Sequence, residues 1–150
     1  MELKIPPPVV ALISAAIMWA VAEFSAPALP VLEVPGLLPL VVLVVGLAVE
    51  ISAVVLFLGA DTTVNPMNPG NTVQLVNRGI YRFSRNPMYL GVLLVLSSWA
   101  LWLGNAVNLA VLLLFICYIT RFQIIPEERV LAELFPDEFD AYRIQVRRWI

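Results

Sequence analysis

The chain has 150 residues, 61% of them hydrophobic and 13% charged, with a formal net charge of −2 and a mean hydropathy of +0.89. Soluble domains average about 45–50% apolar and about 25% charged residues, so an ordinary soluble fold is excluded, and the acidic balance argues against a nucleic-acid partner. Histidine is absent, which removes Ser-His-Asp triads, the commonest general base and most zinc sites, so no metal centre is expected.

The apolar residues lie in long runs, as in a multi-spanning membrane protein. Pro6, Pro7 and Pro8 open the first run, residues 9–26, with Pro8 placed for a first helical turn. The run approaches the lower limit for crossing a hydrocarbon core of about 30 Å. Lys4 is the only positive side chain before it, and Glu23 with a proline-rich stretch follows in place of a small-residue cleavage site. These features predict a retained helix, not a signal peptide. Pro27, Pro30, Pro35 and Gly36 then mark a loop without positive charge, and residues 37–60 form a second run with Glu50 near its middle.

Residues 61–76 are polar, with two Asn-Pro steps and a Pro-Gly turn. Residues 77–86, carrying Arg78, Arg82 and Arg85, read as an interfacial helix. The third run, 87–103, is short and has Tyr89, Trp99 and Trp102 near its ends, as interfacial anchors are placed. Gly104-Asn105 predicts a tight turn into the fourth run, 106–122, so these two runs form a helical hairpin. Cys117 lies inside that run and, being the single cysteine, excludes an internal disulfide. Beyond Arg121 the pattern becomes amphipathic. Pro126, Glu127 and Glu128 read as a helix start, with acids at the positive end of the dipole. Pro136-Asp137-Glu138 repeats the device, and Phe139, Tyr142, Val146 and Trp149 follow at helical spacing opposite Arg143 and Arg147.

The expected architecture is therefore an all-α integral membrane protein forming one domain. It has four transmembrane helices, a C-terminal helical hairpin at its core, and short cytoplasmic amphipathic helices. Lysine and arginine fall before the first run, between the second and third, and after the fourth, whereas the alternate loops have none. The positive-inside rule places both termini and segments 61–86 and 123–150 in the cytoplasm, with the cell inner membrane as the expected location. Neither polar segment is long enough for a nucleotide-binding domain, and there is no GxGxxG or P-loop. A bound cofactor needs a pocket assembled from both segments, where glutamates on one side and arginines on the other suit a ligand bearing an ammonium and a carboxylate.

GIYRFSRNPMYLG, followed some way downstream by IPEERVLAELFPDEFDAYRIQVRRWI, resembles the isoprenylcysteine carboxyl methyltransferase and phospholipid methyltransferase superfamily. The resemblance covers residues 61–150. It implies an integral-membrane enzyme that binds S-adenosyl-L-methionine and methylates a lipidic or small hydrophobic acceptor: a prenyl-cysteine-like carboxylate, a lipid amine or a thiol. Gly79 and Tyr81 match the family's Gly-x-Tyr. Its cofactor site maps onto Tyr81, Arg85, Asn86, Tyr89, Leu90, Gly91, Glu127 and Glu128, with Arg85, Asn86 and Glu127 as the catalytic candidates. Asn86 stands where the family has histidine, so no general base is available at that position. The resemblance suits a histidine-free chain, because the cofactor brings its own electrophile and transfer depends on positioning.

Each candidate also has a structural reading. The arginines serve as positive flank, and Glu127 and Glu128 as first-turn acids that gain about 0.3–1 kcal/mol from the helix dipole. Glu50 faces the bundle or a wet cavity and is an acceptor-site candidate, and Arg121 either snorkels or meets an acidic acceptor. The rival functions are a non-enzymatic membrane scaffold and a small transport subunit with Glu50 on its pathway.

Overall fold

The computed structural model describes residues 2–25, 34–59 and 75–150. The prolines of the first loop before residue 34, and the Asn-Pro and Pro-Gly steps of the polar stretch, lie outside these residues. Among the described residues every regular element is helical: α1 (Pro7–Ser25), α2 (Leu38–Leu58), a 3-10 turn (Gly79–Arg82), α3 (Pro87–Leu103), α4 (Asn108–Ile119), a π-helical stretch (Thr120–Ile124), α5 (Ile125–Leu134) and α6 (Pro136–Gln145). Three helical stretches are long and apolar enough to cross a membrane: Pro7–Phe24, Leu38–Leu58 and Asn108–Leu134. α3 is also apolar, with 17 residues. At 1.5 Å per residue it measures about 26 Å, slightly less than a bilayer core.

α3 is the hub, with α1, α2 and α4 all packed against it. α2 buries only Pro39, Gly46 and Ala53, a seven-residue spacing that gives one narrow stripe. That stripe allows close approach to α3. A Cβ on Gly91 would lie 2.6 Å from Glu50 Cβ and 2.9 Å from its backbone nitrogen, and one on Gly46 would lie 2.9 Å from Leu94 Cβ. Small residues at such crossings let helices meet backbone to backbone where no water drives association. Polar side chains add cross-links, Ser98 Oγ donating to Pro39 O at 2.6 Å and Trp99 Nε1 to Ala15 O at 3.2 Å. The outward faces are apolar, with Leu12, Val44, Ile51, Leu113 and Leu114 all exposed. Such surfaces are stable against lipid, and this is a membrane protein.

The helices alternate in direction, which gathers the polar residues at one end. Leu3 N donates to Phe122 O, joining the start of α1 to the end of the α4 helix. Phe57 near the end of α2 packs on Tyr81 just before α3. Gly104, with positive φ, closes α3 in the turn expected there.

Three local expectations need correction. Residues 77–86 form a four-residue 3-10 turn, not an interfacial helix, because Pro87 holds Asn86 out of the helical region (φ −129°, ψ 55°). Pro126, Glu127 and Glu128 do fall in the first turn of α5, but that helix has no free N-terminus. Ile124 already has helical angles, and Asn108–Leu134 runs without a break. The π stretch makes this possible: Ile125 N donates to Thr120 O, five residues back, and the shifted ladder receives a proline that has no N–H. Finally, α6 stops at Gln145, and Val146 is extended (φ −122°, ψ 131°), so residues 146–150 form a strap.

The α2–α3 contact gives a direct prediction. Gly91→Ala forces a methyl into the Glu50 backbone and should cost about 1–3 kcal/mol, read as a lower unfolding temperature in detergent. Gly36→Ala, with nothing within 4 Å, should be silent. Equal stability of the two variants would contradict the packing.

Candidate functional site

Two of the charged segments noted in the sequence meet at the polar end. Pro87 turns the chain into α3 and points Arg85, Asn86 and Tyr89 toward α5 and the strap. The uninterrupted helix from α4 presents Glu127 and Glu128 to them. Tyr89 Oη donates to Glu127 Oε1 at 2.5 Å, and Arg85 Nη2 donates to Glu128 Oε1 at 2.8 Å. The strap completes the cluster. Arg148 Nε lies 3.1 Å from Glu128 Oε1 and its Nη2 lies 2.6 Å from Oε2.

Arg85 is the most committed member. Its Nη1 donates to the carbonyls of Arg143 (3.1 Å), in the last turn of α6, and Val146 (2.8 Å), just beyond it. Its own N–H donates to Arg147 O. The side chain is only 8% exposed, against 14% for Glu128. Asn86 does not cap α3 through its side chain. Its Nδ2 instead donates to Arg148 O at 3.0 Å, and Ser84 Oγ points at the same carbonyl at 3.4 Å. Trp149 Nε1 donates to Thr120 Oγ1 at 3.2 Å, anchoring the strap on the π stretch.

The neighbouring carboxyls have opposite electrostatics. Burial pushes the Glu127 carboxyl up to about 8; the Tyr89 hydroxyl pulls it part of the way back, and the Glu128 charge adds to the rise. Burial also acts upward on Glu128, but hydrogen bonds from Arg148 and Arg85 outweigh it and hold that carboxyl below its ordinary value. Near neutral pH the cluster therefore holds one carboxylate, one largely neutral carboxyl and two guanidinium groups. Because the helix is continuous, no dipole at a first turn accounts for either acid.

An S-adenosyl cofactor carries an ammonium, a carboxylate, hydroxyls and an amine. The side chains here offer matching chemistry. Glu127 can ionise beside a cation, and the guanidinium groups can take a carboxylate. Arg85 Nε and Gln123 Oε1 are buried and have no hydrogen-bond partner among the described residues. Gln123, one helical turn before Glu127, is fully buried and bonds Ile5 O through Nε2 at 2.7 Å. The residues fit the group.

Other expected residues lie elsewhere or do other work. Tyr81 is a core residue whose carbonyl accepts from Tyr142 Oη at 2.6 Å, and burial raises its phenol. Leu90 continues the first turn of α3, its N–H donating to Asn86 O. Gly91, expected on a cofactor wall, spends its missing side chain on α2. Glu50 packs there against Gly91, about 200° around α3 from Tyr89 by helix geometry. Arg121 is exposed and pairs with Glu2 at 2.9 Å, as Arg129 does at 2.7 Å. Sequence reasoning did not single out Arg148 or Gln123. Arg148 looks like one more positive-inside arginine, and Gln123 carries no motif.

The sequence model for the phospholipid methyltransferase family matches residues 36–138. A protein of Haemophilus influenzae described as uncharacterized is 46% identical over 63 residues, which are 42% of this chain and 100% of that relative. No solved structure matches.

Two outcomes follow from the cluster. The raised carboxyl of Glu127 favours its protonated form in the folded state. Its contribution to stability is complete below its ordinary value of 4.5 and is lost as pH rises through about 8. Glu127→Gln should therefore flatten the fall in unfolding temperature over that window; an unchanged slope would contradict the assignment. Glu128→Ala strands Arg85 in a buried site and should cost up to about 3–5 kcal/mol, measured by denaturant unfolding. A loss below about 1 kcal/mol would mean that the pair is solvated, as exposed pairs are.

Proposed function

The chain belongs to the phospholipid methyltransferase family, whose members in general use S-adenosyl-L-methionine, and from that premise we propose that it methylates a lipidic or small hydrophobic acceptor at the cytoplasmic face of the membrane. The observation that carries this reading is the double junction of Tyr89 with Glu127 and Arg85 with Glu128. It brings the Asn-Pro corner and the distant glutamate pair into one cluster of the required chemistry.

The proposed topology takes α1, α2, α3 and the helix formed by α4 with the π stretch that continues it as four spans of a single methyltransferase unit, with α3 crossing where the core is thin or the surface anchors dip. Both termini then lie on the cytoplasmic side of the inner membrane, where the lysine and arginine residues collect. The acceptor's reactive head meets the cluster at that boundary, and its apolar part remains among the spans and lipid chains.

When bound, S-adenosylmethionine would supply an electrophilic methyl group to a lone pair on the acceptor's oxygen, nitrogen or sulfur and would leave as the neutral thioether. The protein's contribution is positioning and charge. Arg85 holds Glu128 and the end of α6 in place. Asn86 fixes the strap. Tyr89 orients Glu127, which ionises when a cationic group comes beside it and can exchange a proton near neutral pH. In the ligand-free protein this puts a group titrating near the working pH at a corner that has no histidine. Carboxylate and thiolate acceptors need no proton removed, whereas an amine must arrive neutral or lose a proton to such a group.

S-adenosylhomocysteine at one hundred times its dissociation constant should stabilise the purified protein by about 2.7 kcal/mol, seen as a rise in unfolding temperature. Affinity should increase from pH 6 to 8, by up to about tenfold per unit, because binding ionises Glu127. Glu127→Gln should bind more weakly and without that pH dependence. No stabilisation of the wild-type protein at any of these pH values would refute the cofactor assignment.

A further inference from the structure

We propose that Arg148, carried on the strap, reads the carboxylate of the bound cofactor by exchanging its present partner, Glu128, for the ligand. The inference rests on the cofactor reading above and goes beyond it in naming a binding residue to which the resemblance assigns no role and which lies past the family match, ending at residue 138.

Charge bookkeeping within the cluster comes first. Glu128 holds two guanidinium groups, Arg85 and Arg148. With Glu127 largely neutral, the four side chains sum to one uncompensated positive charge. A zwitterion offers the complement. Its carboxylate satisfies the excess cation, and its ammonium is balanced as Glu127 ionises, so the site filled with S-adenosylhomocysteine is neutral and the sulfonium of S-adenosylmethionine is the one charge left over. Burying a ligand charge without such compensation would be costly.

Geometry then selects which arginine moves. Arg85 is 8% exposed and bonds two backbone carbonyls besides Glu128. Moving it would strip the end of α6. Arg148 is 36% exposed, and among the described residues its guanidinium bonds only Glu128, in a two-pronged grip. A carboxylate presents the same fork, so the guanidinium can pass from Glu128 to a ligand carboxylate without losing its geometry. Glu128 remains paired with Arg85 throughout. The main chain at Arg148 is meanwhile fixed, its carbonyl accepting from Asn86 Nδ2 at 3.0 Å and Ser84 Oγ at 3.4 Å. Asn86 is in this account a positioning residue: it sets where the mobile guanidinium is rooted.

The test uses three probes on the full-length protein by calorimetry: S-adenosylhomocysteine, its decarboxylated amine analogue, and 5′-methylthioadenosine, which lacks the whole amino-acid end. Wild type should bind S-adenosylhomocysteine about 10–100-fold more tightly than the decarboxylated analogue, the worth of a charge-assisted pair. Arg148→Gln should weaken S-adenosylhomocysteine by a similar factor and leave methylthioadenosine within about twofold. Arg148→Lys should recover only part, because an ammonium cannot reproduce the fork. Equal loss for S-adenosylhomocysteine and methylthioadenosine would assign Arg148 a structural role and overturn the proposal while leaving the cofactor reading intact. Wild-type protein that does not distinguish S-adenosylhomocysteine from its decarboxylated analogue would overturn it without any variant. Wild type that binds none of the three removes the cofactor reading and this proposal together.

Discussion

The polar end of this molecule depends on one mostly buried ion pair, Arg85 with Glu128. A pair in such a setting is a weak source of stability, since the cost of desolvating both charges roughly offsets their attraction. It does fix geometry. Through Arg85 it joins the residue before the Asn-Pro corner, the end of α6 and the helix that continues from α4. Everything that gives the cluster chemical character is arranged around that junction: the strap is tied beside it, and Glu127 is the next residue along the helix.

Adjacent residues on one helix here hold opposite protonation preferences, and the cause is the company each keeps. Glu128 faces two guanidinium groups. Glu127 faces a tyrosine hydroxyl and protein interior. Environments that drive two carboxyls apart in this way are how acid, base and ion-binding roles become separated in a site. The π stretch is part of the arrangement, because it carries the α4 helix past Pro126 and so brings both glutamates inward. Local π geometry within α-helices is often found at functional positions. The tight α2–α3 crossing at Gly46, Glu50 and Gly91 belongs to the same frame from the other side, fixing the helix on which Tyr89 is mounted.

Much of the frame was legible in the sequence. The apolar runs at 9–26, 37–60 and 87–103 correspond closely to α1, α2 and α3, because a long apolar run and a proline at its start both have one dominant structural consequence. Arg85, Asn86, Tyr89, Glu127 and Glu128, drawn from two motifs far apart in the chain, lie close together in the structure. What failed to read were features set by distant contacts. Pro-Glu-Glu signals a helix start in isolation, yet here the preceding ladder shifts by one residue and absorbs the proline. Helical spacing runs on through Val146 and Trp149, but the chain turns extended at Val146, where Arg85 takes the carbonyls of Arg143 and Val146. Gly91 looked like a ligand-facing glycine, and only the position of α2 shows what it accommodates. Arg148 had no signal that set it apart from the positive flank around it.

The central claim is that the corner at Arg85–Tyr89, the Glu127–Glu128 pair and the strap enclose one cofactor site. Photo-crosslinking with radiolabelled S-adenosylmethionine, followed by peptide mapping, tests it most directly. The account predicts label on peptides containing residues 84–91, 123–128 or 146–150, competed away by excess S-adenosylhomocysteine. Competable label confined to α1, or to the outward face of α4, would place the site elsewhere and contradict it.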